Sequence, residues 1–89
     1  MKVNLKTQAM TPSEAQKAAV NKYIISLDNP RVTSAEVIMK VDNNDHITEI
    51  LLHGRRLEIF AKAKTKNMYR SLKEAVNKVK RQLRKRTTL

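Results

Sequence analysis

Cysteine is absent from this chain, so disulfides and thiolate metal sites are excluded. That absence fits a reducing cytoplasm. Glycine occurs once, at Gly54, which leaves no glycine-rich loop to cradle a nucleotide phosphate. The aromatics are only Tyr23, Phe60 and Tyr69, so aliphatic side chains must supply the core. No apolar run approaches the roughly 20 residues that span a bilayer. Residues 1–10 alternate polar and apolar and lack the apolar stretch of a signal peptide. The two histidines, His46 and His53, fall seven residues apart on one expected strand. They therefore point to opposite faces and cannot share a metal ion. No nucleophile stands beside a base, and no pair of carboxylates is placed for acid–base work. The chain reads as a non-enzymatic protein with no cofactor, no metal and no small-molecule substrate.

Acidic residues are the other scarcity. Eight Asp and Glu face nineteen Lys and Arg among 89 residues, a formal charge of +11. Such excess repels itself in a folded body and usually serves a polyanion. It is also unevenly placed, because between Arg70 and Arg86 the basic residues meet a single acid, Glu74.

Hydrophobic spacing gives one domain over residues 1–89 with the order β-α-β-β-β-α. The first strand is expected over 1–6, from the alternation of Val3 and Leu5 with lysines and Asn4. Thr11-Pro12-Ser13-Glu14 is a helix start, with Thr11 as the expected cap and Glu14 completing a capping box. That helix should run to about Leu27, burying Ala15, Ala19, Tyr23 and Leu27 beside Val20 and Ile24, until Asp28-Asn29-Pro30 stops it. Three strands are expected over 34–41, 46–53 and 57–65. Asp42-Asn43-Asn44-Asp45 and Gly54-Arg55-Arg56 join them, which favours an antiparallel meander. Asn67 can cap a last helix reaching Arg86, with Tyr69, Leu72, Val76, Val79 and Leu83 as its apolar stripe. The fold class is therefore α+β, a four-stranded sheet with both helices packed on one face. Residues 87–89 are expected to fray.

A wheel advancing about 100° per residue puts Lys78, Arg81 and Lys85 opposite that stripe, with Arg70 at the edge of the ridge. Lys73, Lys80 and Arg84 lie between ridge and core. Glu74 offers the helix its one partner at a spacing of four, toward Lys78. This ridge is the expected phosphate contact. A second patch is expected from Lys62 and Lys64 on the exposed side of the last strand, with Arg55 and Arg56 in the turn before it. Phe60 lies among them, in reach of a base. Lys22 adds charge from the first helix.

Several strings also resemble a known family, the ribosome hibernation-promoting factors, also called ribosome-associated inhibitors. Met1-Lys2-Val3-Asn4-Leu5 is similar to that family's first strand, and Ile59-Phe60-Ala61-Lys62-Ala63 to its last. Asn67-Met68-Tyr69, then Lys78, then Arg81-Gln82-Leu83 and Lys85, carry the strongest likeness. The resemblance implies binding to the small ribosomal subunit in the channel used by messenger and transfer RNA, and protection of idle ribosomes under stress or in stationary phase. It also implies that Lys78, Arg81 and Lys85 contact ribosomal RNA. Asn67 stands where the family usually has Asp, and Lys73, Lys80 and Arg84 make the last helix more basic than usual. With the chain stopping at Leu89, the expectation is a short form whose ribosome dimerisation would need a separate factor. Two alternatives remain from the residues alone: a generic double-stranded RNA-binding domain, or a basic module docking an acidic protein.

Overall fold

A computed structural model describes residues 1–87, with Thr87 described in its backbone only. The elements are β1 (Lys2–Gln8), α1 (Glu14–Ile25), β2 (Val32–Asp42), β3 (Asp45–Gly54), β4 (Leu57–Thr65) and α2 (Met68–Thr87). The order and the α+β class are as expected. The expected fraying of Thr88 and Leu89 falls outside the described residues, and Thr87 still belongs to α2.

The sheet order is β1-β2-β3-β4. The last three strands form the antiparallel meander that the short turns require. β1 joins it in parallel, pairing Val3 with Ala35 and Leu5 with Val37. That parallel pairing needs a crossover, which α1 supplies. Asn43 and Asn44 carry the β2–β3 turn at φ 49° and 68°. Asparagine tolerates this left-handed region better than other non-glycine residues, so the two-residue hairpin closes without glycine.

The single glycine is spent elsewhere. Gly54 ends β3 where Arg31 crosses it, and a Cβ there would lie 1.9 Å from the Arg31 carbonyl oxygen. The chain needs that approach because Arg55 N–H donates to the same oxygen at 2.9 Å.

α1 departs from expectation at both ends. Its N-cap is Ser13, not Thr11; Ser13 and Gln16 form the capping box, with Gln16 N–H donating to Ser13 Oγ at 3.1 Å. A Ser cap beats a Thr cap slightly, and Ser13 holds the extended backbone that a cap needs, at φ −75° and ψ 167°. The helix ends at Ile25. Leu27 is buried beyond the helix end, while Ala15 is exposed, so α1 sits on Val20 and Ile24.

α2 lies across β3 and β4. Asn67 caps it as expected, accepting from Arg70 N–H at 3.1 Å. Its buried stripe is Met68, Leu72, Ala75, Val76, Val79 and Leu83. Tyr69 is not in that stripe and is 44% exposed. The reason is a buried polar pair. Ser71 Oγ lies 2.8 Å from Thr48 Oγ1 on β3, and it donates to the Met68 carbonyl. Both hydroxyls are fully buried and need partners. Turning Ser71 inward rotates the first turn, which brings Met68 in and swings Tyr69 to the flank.

Candidate nucleic-acid interface

Cross-strand partners share a face of a sheet, so the register fixes what the uncovered face carries. Lys2, Lys6, Lys40, Lys62 and Lys64 stand there with Glu36, Asp42, Asp45, Glu49 and Glu58. Five bases meet five acids, and the face balances. Several are joined in pairs: Lys6–Glu36 at 2.9 Å, Lys40–Glu49 at 2.8 Å and Lys64–Asp45 at 3.5 Å. Asp45 also binds Lys66 at 2.7 Å. The Lys66 hydrogen bond and charge, helped by Lys64, hold the Asp45 carboxyl below its ordinary value, although partial burial opposes them. What remains off this face is fourteen Lys and Arg against Glu14, Asp28 and Glu74, the whole formal excess of +11. The basic side is therefore the helical side and the ends of the molecule.

That division splits the second expected patch. Lys62 and Lys64 point to the balanced face, and so does Phe60, which is 51% exposed opposite Leu51. Arg55 and Arg56 sit instead at the tip of the β3–β4 hairpin. The tip lies near Arg31, whose Nη1 donates to the Arg86 carbonyl at 3.3 Å. Because α2 runs antiparallel to β4, its basic last turn meets the hairpin tip. Arg31, Arg55, Arg56 and Arg86 thus mark one strongly positive end. Sequence reasoning passed over Arg31, and no local pattern marks it, since only the fold brings it to Arg86.

The ridge of Lys78, Arg81 and Lys85 is brought together. With Gln82 these three line one shallow groove of about 290 Å³. The ridge is not opposite the core, however. The inward rotation of Met68 and Ser71 turns it toward the flank beside β4, an edge strand. There Lys78 Nζ donates to the Lys62 carbonyl at 2.7 Å, and Gln82 Nε2 to the Phe60 carbonyl at 3.0 Å. Both cover outward carbonyls of the edge, which would otherwise invite another strand. Glu74 does not pair with Lys78; it faces Arg70 at 3.7 Å. Arg70 is therefore partly neutralised within the helix. Lys22 lies exposed on α1. Lys80 and Arg84 lie on the other flank, where with Ser26, Asn29 and Leu83 they line a groove of about 240 Å³ between the C-terminal ends of the helices.

The histidines point to opposite faces, as their spacing requires. His46 shares the core side with Thr48, and His53 pairs with Ser34 and Glu58 on the open side. Among the described residues no three His, Asp or Glu come together as metal ligands. No helix there is long and apolar enough to cross a membrane.

Fold and charge together define a small α+β domain with one balanced face and one basic helical side suited to a phosphate backbone. The chain belongs to the family described as sigma 54 modulation protein / S30EA ribosomal protein, whose model matches residues 3–88. No curated protein matches it significantly in sequence. Among solved structures it is similar to a ribosomal subunit interface protein from Coxiella burnetii, at 18% identity and a TM-score of 0.93 over 100% of both chains. It is also similar to the N-terminal domain of Thermus thermophilus Protein Y, at 17% identity and a TM-score of 0.87, over 96% of this chain and 98% of that one. At these identities the two structures speak for the fold.

Proposed function

We propose that this protein is a cytoplasmic hibernation factor, which binds the small ribosomal subunit by laying the basic side of α2 on ribosomal RNA. It occupies the path of messenger and transfer RNA as a plug, and so holds translation off in idle ribosomes under stress or in stationary phase. It does this by occupancy, without a reaction, a cofactor or a metal. Membership of the S30EA family supports the ribosome as partner. The name of the Coxiella relative, a ribosomal subunit interface protein, points the same way.

The observation that carries the reading is the charge division. A surface meant only for solubility would spread its charge, whereas here one face balances and the helical side and the ends hold the entire excess. In this reading Lys78, Arg81 and Lys85 are the central phosphate contacts. Arg70 lies beside them, Arg84 and Lys22 add charge from the side of α1, and Arg55 and Arg56 extend the contact at the hairpin end. Lys62 and Lys64 are peripheral, because Lys64 is engaged with Asp45 and both point to the balanced face.

Cosedimentation of the purified protein with separated ribosomal subunits tests this. The protein should travel with the small subunit at low salt and leave it as salt rises, because phosphate contacts are lost by counterion competition. Failure to travel with the small subunit at low salt would refute the proposal. Equal affinity for plain RNA duplex would favour a generic duplex binder instead. Charge spread along the whole of α2, rather than gathered at a helix N-terminus, argues against that outcome.

A further inference from the structure

α2 carries a second line of contact that the core does not use. With Met68 at zero and about 100° per residue, Lys78, Arg81 and Lys85 fall within an arc of about 60° beside β4. Tyr69, Lys73, Lys80 and Arg84 fall within another arc of about 60°, on the flank toward α1. The Lys80 and Arg84 end of this line is fixed by the groove they share with Ser26 and Asn29 of the α1 side. In that groove Asn29 Oδ1 already accepts from Arg31 N–H at 2.9 Å, so its amide NH₂ is left to donate. From Tyr69 to Arg84 the line runs about 22 Å at 1.5 Å per residue. It is basic along its length, and its start is an aromatic ring.

Tyr69 is what distinguishes this line from an ordinary charged flank. The helix is seated by Met68, Leu72, Ala75, Val76, Val79 and Leu83, and the ring stays 44% exposed. Lys73 follows it one turn on, on the same flank. Phe60, the other strongly exposed aromatic, lies on the balanced face and lacks this setting.

We propose that this flank is a second RNA track, on which Tyr69 stacks an unpaired base while Lys73, Lys80 and Arg84 follow the attached phosphates. The inference rests on the RNA-binding reading above and adds a ligand class to it: single-stranded or loop nucleotides rather than uniform duplex. The chemistry is direct. A ring can stack only on a base whose face is uncovered, and duplex bases are covered on both sides. Base–aromatic stacking is also indifferent to salt compared with phosphate contacts, so it should show best where salt has weakened the lysines. α2 then runs between two paths of RNA, one along each flank, with the positive hairpin end at their close.

The test uses the whole chain and two probes: a mixed-sequence RNA of about 15 nucleotides, within the range such surfaces cover, and the same strand annealed to its complement. Tyr69→Leu should weaken binding to the single strand by roughly tenfold, the lower part of what removing one stacking ring costs. It should leave duplex binding unchanged. Tyr69→Phe keeps the ring and should bind as the parent does; a loss equal to that of Tyr69→Leu would overturn stacking. Phe60→Leu should change nothing, and a loss there matching Tyr69→Leu would place the base elsewhere. A second measurement does not depend on a destabilising change. In a Tyr23→Phe protein, Tyr69 is the sole tyrosine, and with no tryptophan in the chain its emission is read directly. Single-stranded RNA should quench it; unchanged emission at saturation would overturn the inference. Neutralising Lys78, Arg81 and Lys85 to Gln in the same assays separates the two levels. If that variant loses binding and Tyr69→Leu does not, the second track fails alone. If neither loses binding, the RNA reading fails with it.

Discussion

Neutralising Lys78, Arg81 and Lys85 together to Gln should remove three phosphate contacts from the proposed interface. Each contact contributes about 0.7 to 0.9 to the slope of log affinity against log salt, so the slope should fall by roughly 2 to 3. Near 0.1 M salt the same contacts amount to about a hundredfold in affinity. The structure adjusts which residues count in full. Lys78 Nζ spends one N–H on the Lys62 carbonyl, but an ammonium has three, so it reaches a phosphate without releasing the edge strand. Arg70 is partly satisfied by Glu74 at 3.7 Å, so Arg70→Gln should cost only about threefold or less, below the roughly fivefold of a full contact near 0.1 M salt. Gln is chosen over Glu because it keeps a side chain that can still cover the edge carbonyl. Binding to small subunits, followed by anisotropy of labelled protein between roughly 50 and 300 mM salt, gives the slope directly. Circular dichroism checks that α2 persists. A triple variant that stays helical and shows the parental slope would refute the placement of these three side chains at phosphates.

Gly54→Ala should lower stability by about 2–4 kcal/mol, as severe backbone conflicts do. Its Cβ would meet the Arg31 carbonyl at 1.9 Å, and a thermal midpoint within a few degrees of the parent would contradict that contact. Thr48→Val should couple to Ser71→Ala in a double-mutant cycle by about 1 kcal/mol, the net worth of one buried hydrogen bond, whereas strict additivity would mean the hydroxyls do not meet. Asp45 has a folded pKa below its unfolded value, so its stabilisation is complete above the ordinary carboxylate pKa of about 4 and disappears as pH falls through the lowered value. The stability gap between the parent and Asp45→Asn should therefore narrow as pH falls below the ordinary carboxylate range and close once the lowered value is passed, as read by urea unfolding at several pH values. A gap that persists unchanged in strong acid would show that the Lys66 and Lys64 contacts do not depend on its charge.

Local sequence was sufficient for the order of elements, the strand faces and the Asn67 cap. Those depend on alternation of period two, on helical spacing and on short-range hydrogen bonds, all contained in a few consecutive residues. Ala35, Val37 and Met39 could only face one way, and Leu57, Ile59, Ala61 and Ala63 likewise. The +11 excess also needed no structure.

The rotation of α2 was decided by tertiary contact. Met68 and Tyr69 are adjacent and both apolar enough to seat a helix, and spacings of three and four admit either as the first residue of the stripe. The buried bond from Ser71 to Thr48, across the gap between α2 and β3, makes the choice. It turned Lys78 toward β4, freed Tyr69, and gave α2 two flanks where a single ridge was expected. The register of the sheet decided the rest. It gathered five acids and five lysines from all four strands onto one balanced face, and so removed Lys62, Lys64 and Phe60 from the basic side. Charge is a property of the sequence, but its direction depends on which strands lie side by side.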